Sequence, residues 1–283
     1  MSAVPAGRGP SELANARRAR LAPQVLDRLF DDASQFPPGD LSLEAAVASH
    51  VRWRDGLHRR WVGRFLLPVR RVAAFAELVA EDAHRFELGL VVPADIPQSA
   101  AAQAARLLGT RANVTAIEIP LRAGPAVIAG WRGAFPRAEL FLEGSSGDVA
   151  AIGRLGARPK LRCGGLAPEA VPSVPMVAKF VVESVARGLP FKATAGLHQP
   201  LRHLDADLGV EVHGFLNLWV ATRRAQTRAP HREIEEALTR TDLGSLALGE
   251  EELQAARTSF TAFGTCSISE PIAALAQLGL LHE

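Results

Sequence analysis

Lysine is nearly absent from this chain of 283 residues. Of 32 basic residues only Lys160, Lys179 and Lys192 are lysine, and the other 29 are arginine. Arginine supplies positive charge but cannot give up its proton at working pH, whereas lysine can, so any chemistry that needs a free amine has three candidate positions. Cysteine is scarce as well. Cys163 and Cys266 are the only two, without metal-ligand spacing, which excludes a disulfide framework and a cysteine-based zinc site. No apolar run reaches the roughly 18 residues needed to span a bilayer, and the first forty residues lack the pattern of a secretory signal. The expectation is a cytoplasmic protein with no membrane partner. A net charge of +2 shows no bias toward polyanions, and the clusters Arg17-Arg18-Ala19-Arg20 and Arg59-Arg60 have no interleaved aromatics. Nucleic acid is therefore not an expected partner, and both clusters read as solvated helix faces.

With 48% hydrophobic and 22% charged residues there is ample material for a core. Residues 1–20 read as a flexible tail and 21–283 as one domain. Apolar β-type runs alternate with Ala/Leu-rich helical stretches almost to the C-terminus, the pattern of repeated βα units. Strands are expected at Val25 to Phe30, Gly63 to Val69, Phe86 to Val92, Val114 to Pro120, Glu139 to Glu143, Pro159 to Cys163, Phe191 to Ala195 and Thr261 to Cys266. Helices are expected at Ser42 to Arg54, Val72 to His84, Ser99 to Leu108, Ala126 to Phe135, Asp148 to Leu155, Val174 to Arg187, His213 to Arg224 and Pro271 to Leu278. Eight such pairs predict an α/β fold, a single (β/α)8 TIM-type barrel. A doubly wound open sheet is the rival, but it lacks a G-x-G-x-x-G after a first strand. The stretch from Leu197 to Ser259 is too long for a plain connection, and predicts a helical insertion between strands seven and eight that could cover the mouth.

In such a barrel, catalytic groups project from the C-terminal ends of the strands. Those ends carry Asp31 and Asp32, Glu118, Glu143, Lys160 with Arg162, Lys192 with His198, and Thr265 with Ser267. Ionisable groups in apolar strands are costly unless paired, and a polar active-site cup explains their recurrence. Alternation puts Lys160, Arg162 and Gly164 on one face, and Lys192, Thr194 and Gly196 on another shared face. Leu161 and Cys163 then face the helices, which makes Cys163 a packing residue. Lys179 falls at helical spacing within Val174 to Arg187, on a solvated face. Codon bias would thin lysine everywhere and leave survivors of that ordinary kind. Two ammonium groups on neighbouring strands should repel, lowering the pKa of one. A free amine there would attack a carbonyl to form an imine. On this reading Lys160 is the nucleophile, Lys192 its electrostatic tuner or the alternative nucleophile, Glu143 and Glu118 proton carriers with His198 beside them, and Arg162 an anion holder; Asp32 and Thr194 line the substrate site.

The sequences Lys160-Leu161-Arg162-Cys163-Gly164 and Lys192-Ala193-Thr194-Ala195-Gly196-Leu197-His198 are similar to K-T-S-T-G and K-A-A-G-G-I-R, and Gly264-Thr265-Cys266-Ser267 to G-T-S-S. Over 158–200 and 260–270 the chain thus resembles class I, Schiff-base aldolases of the deoxyribose-phosphate aldolase type. The resemblance implies a barrel with the imine lysine on strand six (Lys160), an activating lysine on strand seven (Lys192), and an anion cradle at Gly264, Thr265 and Ser267. It departs at Leu161 and Arg162, in the insertion after Leu197, and in having no aspartate that matches the family's proton-relay acid. Asp31 to Pro38 also resembles the Asp-Asp-Ala-x-x-Phe-Pro-Pro segment of a group of bacterial barrel proteins.

The function expected is a lyase acting on a small carbonyl metabolite, acidic or phosphorylated, through a lysine imine and with no cofactor. One alternative is a divalent-metal lyase or isomerase, with Asp31, Asp32, Glu118, Glu143 and His198 as ligands, although no H-x-H or H-E-x-x-H pattern supports it. Another is a barrel that binds a metabolite without turning it over. Substrate identity and assembly into identical copies are left open.

Overall fold

The computed structural model describes residues 21–80, 84–110, 112–246 and 249–281. The expected tail, 1–20, and with it the cluster Arg17-Arg18-Ala19-Arg20, lies outside those residues. Ten strands follow one another: β1 (Phe30–Asp32), β2 (Val62–Pro68), β3 (Phe86–Val91), β4 (Ala112–Pro120), β5 (Glu139–Glu143), β6 (Arg158–Arg162), β7 (Phe191–Thr194), β8 (His203–Asp205), β9 (Val210–Val212) and β10 (Phe260–Thr265). Strands β1 to β7 and β10 are parallel neighbours in order, and β10 pairs with β1 to close an eight-stranded barrel. The (β/α)8 architecture read from the sequence is therefore the fold.

The surrounding helices are α1 (Leu43–Asp55), α2 (Val72–Leu78), α3 (Ser99–Leu108), α4 (Pro125–Ala134), α5 (Val149–Arg154), α6 (Val174–Ala186), α7 (Phe215–Gln226), α8 (His231–Thr239), α9 (Glu250–Ala256) and α10 (Ser269–Gln277). Their starts follow the capping chemistry. The Ser42 hydroxyl accepts from Ala45 N at 3.2 Å with Glu44 in the first turn of α1, and Pro125 opens α4. Apolar strand residues that face outward meet the helices in two clusters. One gathers Phe30, Phe191, Phe260 and Phe263 against Phe180 and Phe215, all fully buried. Burying each ring in this way stabilises the fold by roughly 1.5–3 kcal/mol.

Three expectations are corrected. The apolar run at Val25 is not a strand: Pro23, suited by its fixed φ to the start of a turn, opens a short 3-10 helix over Pro23–Leu26, and β1 begins only at Phe30. Val25 and Leu26 are fully buried all the same, which accounts for their character. Helix α2 stops at Leu78 instead of continuing to His84; residues 81–83 lie outside the description. The insertion between β7 and β10 is helical, as expected, and contains three helices, but what reaches the barrel mouth is the β8–β9 hairpin, whose three-residue strands are too short to show alternation. Helix α7 instead packs into the core. Asn217 ties it down, accepting from Arg202 N at 2.8 Å and donating to Ala237 O and Arg240 O, while the His213 ring bonds Pro172 O at 2.7 Å. His213, which precedes the helix, and Asn217 within it thus hold structural bonds.

Candidate active site

Alternation along the barrel strands sorts apolar residues outward and charged residues inward. On β6, Leu161 and the following Cys163 join the outer core, and on β7 Phe191 and Ala193 do the same. Burial pushes the Cys163 thiol up to about 12, against a weaker pull from Arg162, in keeping with a packing role. Lys160 and Lys192 are direct neighbours across the β6–β7 pairing, and Glu143 of β5 is the neighbour of Lys160 on its other side. Lys192 is fully buried and Lys160 is 5% exposed.

Buried charges persist only when paired, and here the pairing forms a continuous string of alternating sign along the inside of the barrel. At the N-terminal end, Arg158 pairs with Glu139, whose other oxygen lies 2.5 Å from Arg64. Arg64 reaches Asp31 with its guanidinium at 3.7 Å and its backbone N–H at 2.7 Å. Asp31 holds Lys192 Nζ at 2.5 Å, and Lys192 also bonds Glu118 Oε1. The second oxygen of Glu118 is 2.7 Å from Lys160 Nζ, which lies 3.1 Å from Glu143; Glu143 in turn accepts from Arg162 Nε at 3.0 Å. The ring of Phe141, fully buried, has Lys192 Nζ, Arg64 and Arg158 within 5.6 to 6.0 Å of its centre, adding cation–π attraction to the lower string. Backbone geometry makes room for this. A Cβ on Gly63 would fall 2.3 Å from Asp31 Oδ1, so only glycine lets that carboxylate lie over β2.

Lys160 does not lose its hold on a proton in the way the sequence suggests. Burial alone would lower the pKa of Lys160, but the carboxylates of Glu118 and Glu143 outweigh it and raise the value above the usual 10.5. Burial likewise works against ionised Glu118, yet the charges of Lys160 and Lys192 win and hold it at about 2; Glu143 is lowered by Lys160 and Arg162. The resting site is therefore a chain of ammonium, guanidinium and carboxylate groups. Counting Arg158, Arg64, Lys192, Lys160 and Arg162 against Glu139, Asp31, Glu118 and Glu143 leaves one positive charge over. Arg162, whose side chain is half exposed, stands at the open end.

That end opens into a cavity of about 740 Å³ at the C-terminal face of the barrel. Lys160, Glu118, Arg162, Thr194, Gly264 and His198 all line it, so six of the candidate residues meet there. Lys192 sits behind them, linked through Glu118. Gly164 and Gly196 form part of the wall, and their backbones approach closely: a Cβ on Gly164 would lie 3.0 Å from Gly196 Cα. The hairpin contributes His203, Asp205 and Leu208. His198 bonds Glu270 at 2.7 Å and has Cys266 Sγ 3.8 Å from its ring nitrogens.

Three candidates are placed elsewhere. Asp32 points outward from β1, where its carboxylate accepts from Ser34 N and meets the buried His50 Nδ1 at 3.0 Å, between β1 and α1. Thr265 is buried and donates to Ser267 O at 2.9 Å, while the Ser267 hydroxyl meets that of Ser269. In the turn after β10 it is thus Gly264 and Cys266, not Thr265 and Ser267, that face the cavity. The proposed metal ligands are also dispersed onto other partners, and no group of three His, Cys, Asp or Glu side chains suited to a metal ion occurs among the described residues. Sequence reasoning missed Arg64, Glu139 and Arg158, although their signal was present: each is a charged residue at an inward position of a strand. Comparison with protein-family models and with curated proteins gives no match to this chain.

Proposed function

We propose that the chain is a lyase of the class I aldolase kind, forming an imine between Lys160 and a small carbonyl metabolite that carries an acidic or phosphorylated group. The observation that carries this reading is the position of Lys160: it lines the cavity, its amine is flanked by two carboxylates, and a second lysine shares one of them. Lys160 must first pass a proton to a carboxylate or to water. Glu143, 3.1 Å away with a side chain 20% exposed, is the nearest acceptor with access to solvent. The amine then adds to the substrate carbonyl, water leaves, and the resulting iminium draws the electron pair of an adjacent C–C bond toward nitrogen. On this reading Glu143 and His198 return protons to the carbon and oxygen that need them. Arg162 provides the anchoring charge for a substrate anion, and Lys192 keeps a fixed positive charge below Glu118.

The test is to incubate the protein with carbonyl metabolites, reduce with borohydride, and map the added mass by peptide. Labelling at Lys160 is expected; labelling of Lys179 alone, or none across a broad panel, would overturn the reading. One observation favours a second reading, a barrel that binds an anionic metabolite without turnover: the raised pKa of Lys160 keeps its amine protonated at rest. Saturable binding with neither trapping nor turnover would select that reading.

A further inference from the structure

The opposite end of the barrel has a pocket of its own. Arg28, Arg54, Arg59 and Arg60, with Asp27, surround about 330 Å³ at the N-terminal face, away from the cavity that Lys160 lines. They come from separate pieces of chain: Arg28 from the turn before β1, Arg54 from the last turn of α1, and Arg59 and Arg60 from the turn before β2.

The backbone fixes their arrangement. Arg28 adopts a left-handed conformation with φ 54°, rare for a side chain of this size, and its N–H bonds Arg60 O at 2.7 Å, joining the two turns. The turn that carries Arg59 and Arg60 is closed by Arg59 N to Gly56 O and Trp61 N to His58 O, with the His58 and Trp61 rings stacked 4.1 Å apart. Two guanidinium groups are steadied by acids, Arg28 by Glu87 and Arg60 by Asp27 at 2.6 Å, and Arg54 donates to Val62 O at 3.3 Å. Arg59 is exposed, and its guanidinium bonds no other described residue. Four guanidinium groups against Asp27 and Glu87 leave an excess of two positive charges around one small depression. Each guanidinium has five N–H donors in a planar fork suited to phosphate oxygens, and few of these are spent on neighbours.

We infer that this four-arginine pocket binds a small-molecule anion carrying a diphosphate or a similarly dense group of negative charges. Its volume suits a diphosphate group, and the dispersed origin of its arginines makes it a local socket, not a track along an extended polymer. The inference is independent of the chemistry proposed for Lys160.

Inorganic pyrophosphate is the probe, titrated by calorimetry into the full chain at constant ionic strength. Saturable binding of one pyrophosphate per chain is expected, at least roughly tenfold tighter than acetate because charge-assisted bonds form at several guanidiniums at once. Arg59→Ala with Arg60→Ala should weaken it by roughly tenfold or more, and Arg232→Ala, on the exposed face of α8 and outside both pockets, should leave it unchanged. If the double variant does not fold, Arg59→Gln alone should still weaken binding by a smaller, measurable factor. Absence of saturable binding, loss of binding in Arg232→Ala, an unaltered affinity in the folded double variant, or tighter binding of a short single-stranded oligonucleotide than of pyrophosphate would each overturn the inference.

Discussion

The lower half of the barrel interior is held by arginine and the upper half by lysine. Below, Arg158 and Arg64 clasp Glu139 and Asp31; above, Lys192 and Lys160 clasp Glu118, and Glu143 follows. Both halves solve the same electrostatic problem, yet a chain with 29 arginines and three lysines spends two of the three on the half that opens to a cavity. Guanidinium keeps its proton under all working conditions, so the lower half can only hold charge. The amines of the upper half can release a proton, which is what the proposed imine chemistry requires. The comparison separates scaffolding from chemistry within one string of ion pairs.

Exchanging the cation in the upper half should break this contrast most severely. Lys160→Arg keeps the charge but removes the amine, so borohydride trapping should be abolished while circular dichroism stays unchanged. Residual trapping at the same level would place the chemistry elsewhere. Next in size is Lys192→Met, which strands Asp31 and Glu118 without their shared cation; a loss of about 3–5 kcal/mol in denaturant unfolding is expected, and adding Glu118→Gln should recover part of it. A loss below about 1 kcal/mol would mean that the string is not a stabilising unit.

A third test uses pH. Glu118 and Glu143 lie below the ordinary 4.5, so their contribution to stability is present above that value and disappears as pH falls, for Glu118 toward about 2. Lys160 lies above 10.5, so its contribution is present below 10.5 and is lost as pH rises through its folded value. The melting temperature, as far as these groups set it, should be level between those limits and fall on both sides. A steep change near neutrality would implicate other groups. The smallest effect is expected of Asp32→Asn, which alters the carboxylate's bonds to His50 and Ser34 N outside the cavity: a cost of about 1–3 kcal/mol in unfolding, with trapping at Lys160 unaltered.

Much of this was legible in the sequence, for reasons that particular residues make plain. Ser99–Leu108 and Glu139–Glu143 end where periodicity and flanking residues place their ends. The inward position of Lys160 and Lys192 follows from period-two alternation, since Leu161 and Ala193 beside them need the outer core. What escaped was whatever depends on contacts between distant strands. Glu118 and Asp31 lie 74 and 161 residues from Lys192 in sequence, so nothing local announces that they neutralise it, and the sign of the pKa shift at Lys160 was reversed as a result. Asp31 and Asp32 illustrate the same gap at shorter range: adjacent in sequence, one points into the string and the other toward His50. Glu118, 42 and 74 residues before Lys160 and Lys192, contacts both lysines from β4.

The most direct test of the upper half is the pH dependence of trapping at Lys160, measured with one carbonyl compound and borohydride and read by peptide mapping. Because the free-amine fraction of a group titrating above 10.5 grows about tenfold per pH unit below that value, the initial trapping rate at Lys160 should climb by about that factor per unit from neutrality to roughly pH 10. A rate that is already level at neutral pH, or adducts that form on Lys179 instead, would contradict the account.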